Sequence, residues 1–278
     1  LRRSKNRNGF YHSSDGFAAH FAERSKDVLI VSFDNLSNVN DPMLSRESWG
    51  YGFYRSENWS HLGVMSFKTN WYRDEAFFDY FEDLAARGFF KQFKKVVLTG
   101  TSMGGYAATA LAGLAPGCTV VAFSPQSTLA ADLVPWEERF KKGRVQDWSG
   151  RYRDAAAESK AAREVFVLFD PGFAPDLKHA QRYGGTSVCF LKTWFSGHKS
   201  ALFLRRAELL KPIFRAAVSG KLDASTFYAM YRSRRNLPWY INGMSALAIE
   251  NGHETLVTQT AEALIRAAHQ DGAQFIST

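Results

Sequence analysis

The sequence predicts an α/β fold with a mostly parallel central sheet, helices on both faces and a small C-terminal helical hairpin. Short apolar runs rich in Val, Ile and Phe alternate with longer segments of helical periodicity, and runs of this kind are typical of strands buried on both faces. Beyond residue 222 only the helical pattern remains. The predicted strands are 28–33, 62–67, 95–99, 119–123, 165–169 and 186–191.

The domain organisation follows from the same pattern. A chain of 278 residues with 45% hydrophobic content is long enough to bury one large core. We predict an N-terminal extension at 1–24, a catalytic domain at 25–221 and a C-terminal helical appendage at 222–278. The appendage is expected to cap the domain, and a docking surface for a protein partner is the alternative.

The positive charge of the chain is concentrated in residues 199–235, which hold nine basic and two acidic side chains. No nucleic-acid-reading motif accompanies them, so we predict solvated helix faces and no nucleic-acid partner. No apolar run reaches the length of about 18 residues that a membrane span needs. We expect a cytoplasmic protein without a metal or organic cofactor. The sequence begins at Leu1, so a signal peptide that has been removed is the alternative to this expectation.

The segment GTSMGG at 100–105 contains the strongest candidate for chemistry. It matches G-x-S-x-G and lies between a predicted strand and a helix of small residues. In that context the serine occupies a sharp strained turn, and the glycines leave room for the neighbouring strand and helix. Ser102 is therefore the predicted nucleophile, and the Met103 amide at the helix start is a predicted oxyanion donor. A glycine-rich turn with an incidental serine is the alternative.

A serine nucleophile needs a base, and the base needs an orienting carboxylate. Asp170 follows the strand VFVLF and precedes Pro171 and Gly172, whereas His198 lies in the loop FSGHKS after the last predicted strand. In enzymes with a nucleophile elbow, the partners follow the serine along the chain in the order Asp or Glu, then His. We predict Ser102, Asp170 and His198 as the catalytic residues, with Asp176 as the alternative acid.

The segments GTSMGG, LFDP and SGHKS together resemble the α/β-hydrolase superfamily, and in particular its serine esterases, over about residues 25–215. The resemblance implies that His198 accepts the Ser102 proton while Asp170 fixes its tautomer. It also implies a second oxyanion donor after the first buried strand, where this chain has Asp34 and Asn35 instead of the common His-Gly. Residues 127–163 lie where such hydrolases often place a lid, and an ordinary crossover with a long loop is the alternative.

Aromatic and amide residues near the predicted sheet edge are candidates for substrate binding: Asn70, Trp71, Tyr72 and Trp136. They would suit an acylated sugar or an aromatic ester, and packing is the alternative. The sequence thus predicts a serine hydrolase of a carboxylic ester whose substrate is a small molecule or a carbohydrate ester. The alternatives are an acyltransferase or deacetylase acting on acylated carbohydrate, and a non-catalytic binding protein of the same fold.

Overall fold

A single sheet of eight strands organises the computed structural model, which describes residues 8–39, 41, 46–253 and 255–262. The spatial order is β1-β2-β4-β3-β5-β6-β7-β8. The strands are β1 Gly9–Ser13, β2 Phe17–Ala22, β3 Val28–Phe33, β4 Ser60–Ser66, β5 Lys95–Thr101, β6 Thr119–Phe123, β7 Glu164–Phe169 and β8 Val188–Lys192.

Strands β3 to β8 are mutually parallel and include all six strands predicted from the sequence. The N-terminal pair β1 and β2 was not predicted. It forms a hairpin that joins the sheet antiparallel to β4. Because residues 9–22 are two strands of the sheet, they are not an extension attached to it. Their runs, GFYHS and FAAHFA, are short and carry histidines, which hid the strand pattern.

Helices cover both faces of the sheet. The described residues form helices α1 Tyr51–Ser56, α2 Glu75–Ala86, α3 Met103–Ala110, α4 Lys141–Arg144, α5 Ala155–Glu158, α6 Ala174–Ala180, α7 Ser200–Arg206, α8 Leu210–Ser219, α9 Ala224–Tyr231 and α10 Pro238–Glu250. Short 3₁₀ helices lie at Phe90–Gln92, Ala112–Leu114, Ser159–Ala161 and Arg232–Asn236.

Two hydrophobic cores lie on opposite faces because successive side chains of a buried strand point in opposite directions. In β3, Leu29 packs in one core with residues of α2 and α3, whereas Ile30 packs in the other with residues of α7, α8 and α9. The α/β architecture predicted from the sequence is therefore confirmed.

The C-terminal part contributes to the second core. Phe227 and Tyr231 of α9 are buried there, and the Tyr228 hydroxyl accepts a hydrogen bond from the backbone amide of Lys192 in β8. Residues 255–262 are helical, and residues 263–278 lie outside the described residues. The C-terminal hairpin accordingly stays a prediction.

The end of β5, just before the turn into α3, should tolerate no side chain at Gly100. A Cβ there would overlap the backbone of Gly104. Backbone cannot move aside as a flexible side chain can, so we expect Gly100→Ala to lower the free energy of unfolding by about 3 kcal/mol. Gly52→Ala is the control, because a Cβ at this helical position meets no atom within 4 Å. Urea denaturation measures both, and equal stability of the two variants would contradict the prediction.

Candidate active site

Ser102 is the single residue between β5 and α3. Its backbone has φ 52° and ψ −116°, in the left-handed half of conformational space that non-glycine residues rarely occupy. The turn is fixed because the Ser102 amide donates to the carbonyl of Phe123 in the neighbouring strand. Gly104 is required as well, since a Cβ there would lie 2.7 Å from the carbonyl oxygen of Asp34. The sequence GTSMGG thus forms the strained turn that its pattern predicts.

His198 lies in the loop between β8 and α7, and its imidazole connects two other side chains. Its Nε2 is 2.8 Å from the Ser102 hydroxyl oxygen, and its Nδ1 is 2.8 Å from both carboxylate oxygens of Asp176. An ionised carboxylate only accepts hydrogen bonds, so Nδ1–H is the donor to Asp176. In the neutral ring Nε2 is then free to accept the proton of the Ser102 hydroxyl.

The structure does not bring Asp170 to His198, contrary to the expectation from the sequence. The Asp170 carboxylate accepts the backbone amides of Gly172, at 2.8 Å, and Gly197, at 2.7 Å. Burial raises the pKa of Asp170, the two amides oppose this effect, and the nearby Asp176 adds to it. Asp170 therefore holds the loop that carries His198 instead of contacting the ring. The residue that contacts the ring is Asp176, which was the alternative.

Asp176 lies in the first turn of α6, where the helix dipole favours a negative charge. Its side chain is 1% exposed, and it accepts a hydrogen bond from Arg139 at 3.2 Å. The Arg139 guanidinium also binds Glu137 and lies over the rings of Phe140 and Phe173. The carboxylate of Asp176 is thus held between a cation and the imidazole.

A buried hydrogen-bonded pair, His179 and Glu137, continues this polar network. The Ser127 amide donates to Nδ1 of His179, and Nε2 of His179 is 3.0 Å from Glu137. Because Nδ1 accepts, the proton is on Nε2 and is donated to the glutamate. Burial lowers the pKa of His179, which keeps the ring neutral. Burial opposes ionisation of Glu137, but hydrogen bonds from His179 and Arg139 lower its pKa to about 2.

The predicted oxyanion donors differ in what their amides do. The Asp34 amide donates to the carbonyl of Val64 at 3.1 Å, so it belongs to the sheet and is not available for a ligand. Burial raises the pKa of its side chain to about 6, opposed by an ion pair with Arg46. Among the described residues, the Asn35 amide makes one long contact, of 3.4 Å to Asn38 Oδ1. Met103 is the first residue of α3, where an amide has no partner within its helix.

The residues predicted to bind substrate are mostly packed. Tyr72 is buried and donates to the Asp34 carbonyl at 3.0 Å, and Asn70 accepts the Tyr72 amide at 3.2 Å. Trp71 is 1% exposed. Trp136 lies edge-on against His179, with ring centroids 4.7 Å apart. Asn70, Trp71 and Tyr72 are thus packed, Trp136 is half-buried, and a role of the four in substrate binding stays a prediction. Asn70 also lines an open depression of about 340 Å³.

Gln126 is a site residue that the sequence did not suggest. It is fully buried in the loop after β6, and its Oε1 accepts the indole N–H of Trp71 at 2.9 Å. The same oxygen lies 3.3 Å from the Ser102 hydroxyl, and Nε2 lies 3.5 Å from Nε2 of His198. The only signal was its position, SPQS directly after a strand that neighbours the strand of Ser102.

The sheet order and the strained serine turn define an α/β-hydrolase fold, as the sequence resemblance implied. No protein-family model matches the sequence, and neither does any of the curated proteins. Within the described residues, no helix is both long and apolar enough to cross a bilayer.

Solved structures show a likeness of fold. The chain is 14% identical to a chain of the glycosylation associate protein (Gap123) complex from Streptococcus agalactiae, with a TM-score of 0.50, covering 77% of this chain and 47% of that one. It is 11% identical to a capsule O-acetyltransferase of Neisseria meningitidis serogroup A, with a TM-score of 0.49, covering 75% and 93%. It is 12% identical to a thermostable carboxylesterase cloned from a metagenomic library, with a TM-score of 0.47, covering 77% and 89%.

Glu137 should stabilise the fold in a pH-dependent way. We expect Glu137→Gln to lower the free energy of unfolding at neutral pH by about 3 kcal/mol, because Arg139 and His179 lose the buried carboxylate that they share. The folded pKa of about 2 lies below the ordinary value of 4.5, so the contribution is present above pH 4.5 and is lost as pH falls towards 2. Urea denaturation at several pH values should show that the difference in free energy of unfolding between the variant and wild type shrinks over that pH range.

The exposed neighbour Glu138 offers a matched control for this measurement. Glu138→Gln should change stability by no more than about 0.5 kcal/mol. If the difference in free energy of unfolding between Glu137→Gln and wild type stays constant between pH 7 and pH 3, the stabilising role of the ionised carboxylate is contradicted.

Proposed function

We propose that this protein is a serine hydrolase that cleaves a carboxylic ester through an acyl-enzyme on Ser102. The observation that carries the proposal is the chain of hydrogen bonds from Asp176 through His198 to Ser102, with each contact at 2.8 Å. This is the arrangement that a serine hydroxyl needs to become a nucleophile: a base within reach of its proton, and a carboxylate that orients the base. Asp170 takes the supporting role of fixing the histidine loop.

In the acylation step the Ser102 oxygen attacks the ester carbonyl while His198 Nε2 takes the hydroxyl proton. Asp176 stabilises the imidazolium that forms and holds its tautomer. The carbonyl oxygen becomes negatively charged and is stabilised by the amides of Met103 and Asn35, at the positive end of α3. His198 then returns the proton to the departing alcohol, which leaves the acyl group on Ser102.

The packing of α3 against the end of β3 supports this choice of donors. Gly104 of α3 packs directly against the carbonyl groups of Phe33 and Asp34, so residue 35 passes the first turn of the helix. Since the Asp34 amide is occupied in the sheet, Asn35 is the donor we assign beside Met103. An acyltransferase on carbohydrate would share this first half-reaction and differ in what attacks the acyl group. The products of the second half-reaction therefore distinguish the two activities.

Loss of the Ser102 hydroxyl should abolish ester cleavage without unfolding the protein. We expect Ser102→Ala to lower turnover of p-nitrophenyl acetate at least about a thousandfold, because no other group supplies the nucleophile. Wild type should carry an acetyl group on the peptide containing Ser102, as detected by mass spectrometry after a rapid acid quench. Ser149→Ala, at an exposed position, is the control with unchanged turnover. Full activity of folded Ser102→Ala would refute the mechanism.

The two aspartates near His198 should differ sharply in their effect on turnover. Asp176→Asn removes the charge that stabilises the imidazolium and should lower kcat by about 10⁴. Asp170→Asn keeps an oxygen for one loop amide, and we expect a loss of no more than about tenfold, the equivalent of one weakened hydrogen bond. Circular dichroism checks that both variants fold. A greater loss in Asp170→Asn than in Asp176→Asn would reverse the assignment.

A further inference from the structure

Gln126 faces the reacting atoms, and its orientation is fixed by chemistry. The indole nitrogen of Trp71 can only donate a hydrogen bond, so the atom that it contacts at 2.9 Å must be the carbonyl oxygen Oε1. That assignment directs the same oxygen towards Ser102, 3.3 Å from the hydroxyl. Oε1 therefore presents an acceptor beside the nucleophile, and it cannot donate to a negatively charged oxygen.

The backbone around Gln126 is held in place from several directions. Its own carbonyl accepts the Tyr183 hydroxyl at 3.3 Å, and the amide of Ser124, two residues earlier, donates to Leu168 in β7. Pro125 packs so closely against Gly105 of α3 that a Cβ on that glycine would lie 3.0 Å from the proline ring. The side chain is thus presented by a rigid loop.

In the free protein this acceptor is only partly used. Ser102 has one hydroxyl hydrogen, and the nearer acceptor is Nε2 of His198 at 2.8 Å. One lone pair of Gln126 Oε1 binds Trp71, and the other faces the hydroxyl oxygen without receiving its hydrogen. After acylation Ser102 has no hydrogen at all, and the molecule that attacks the acyl group takes over the contact with His198.

We propose that Gln126 positions the water that cleaves the acyl-enzyme, and this inference rests on the function proposed above. One hydrogen of the water is directed to His198 Nε2 and the other to Gln126 Oε1. The water oxygen bonds to the acyl carbon as Nε2 takes the first proton. The bond between the carbon and the Ser102 oxygen then breaks, Nε2 returns the proton to Ser102, and the carboxylic acid leaves with the second hydrogen, ionising in solvent.

The consequence is a preference for water over a simple alcohol. An alcohol has a single hydroxyl hydrogen, which the base must take, so it leaves the acceptor of Gln126 unpaired. Oε1 then keeps the hydrogen bond from Trp71 and loses the second one, and a site built to bind a hydrogen discriminates against a molecule that lacks it. The geometry at Gln126 thus favours hydrolysis over acyl transfer to monohydric alcohols.

The test compares methanol and water as competitors for the same acetyl-enzyme, formed from p-nitrophenyl acetate. Methyl acetate and acetate are quantified separately, and their ratio at a fixed methanol concentration gives the partition. This ratio does not depend on the amount of active enzyme or on the acylation rate. A smaller fraction of correctly folded enzyme therefore leaves it unchanged.

Gln126→Met and Gln126→Glu form a matched pair, because both remove the amide nitrogen and only Glu keeps an oxygen acceptor. We expect the methanol-to-water partition to rise about tenfold in Gln126→Met, corresponding to one lost hydrogen bond, and to stay within about twofold of wild type in Gln126→Glu. Trp71→Phe provides a second route, since it frees the amide to rotate. Its partition should rise by a smaller factor than that of Gln126→Met.

The outcomes separate the two proposals. If wild type forms no acetyl-Ser102, the proposed function fails and this inference fails with it. If acetyl-Ser102 forms and Gln126→Met or Trp71→Phe partitions like wild type, the role of Gln126 is overturned while the serine mechanism stands. An equal rise in Gln126→Met and Gln126→Glu would also overturn it, because the oxygen acceptor would then not be the cause.

Discussion

The close packing of backbone around the Ser102 turn is the constraint on which the rest of the site depends. Gly100 and Gly104 touch each other, and Gly104 also touches the end of β3, so strand, helix and the neighbouring loop meet without intervening side chains. The unfavourable φ of Ser102 persists because these contacts leave the residue no other conformation. The same contacts hold the first turn of α3 against Phe33 and Asp34, directly before Asn35.

The other site residues reach Ser102 through polar contacts that are themselves supported. Asp170 fixes the histidine loop by accepting the Gly197 amide, and Asp176 fixes the ring. Arg139 connects Asp176 to the buried pair of Glu137 and His179. Each ionised group therefore has a charged or hydrogen-bonded partner, which is the condition for keeping charges in a buried site.

The sequence predicted contacts between residues that lie at strand ends, because strand ends can be read from the pattern. It did not predict contacts that depend on the direction in which a side chain points. The contact between Ser102 and His198 was expected because a glycine-flanked turn and a loop after the last strand are visible in the pattern. Asp170 was chosen over Asp176 because it directly follows a strand, yet the first turn of α6 points Asp176 back at the imidazole. Gln126 carries no pattern of its own. The hairpin of β1 and β2 was missed because its strands are short.

The segment 127–163 packs against residues that surround Ser102, and its role as a lid stays a prediction. Phe140 packs against Trp71 with ring centroids 4.9 Å apart and the rings tilted by 51°, and Gly143 lies so close to the Trp71 ring that no Cβ would fit between them. Trp71 is held with φ 54°, a conformation that costs energy for a bulky residue and persists only under such contacts. Because the Trp71 indole donates to Gln126 Oε1, these contacts also support the orientation of the Gln126 amide next to Ser102. A change in the packing of Gly143 or Phe140 would thus alter the chemistry at Ser102 without touching any group that takes part in proton transfer.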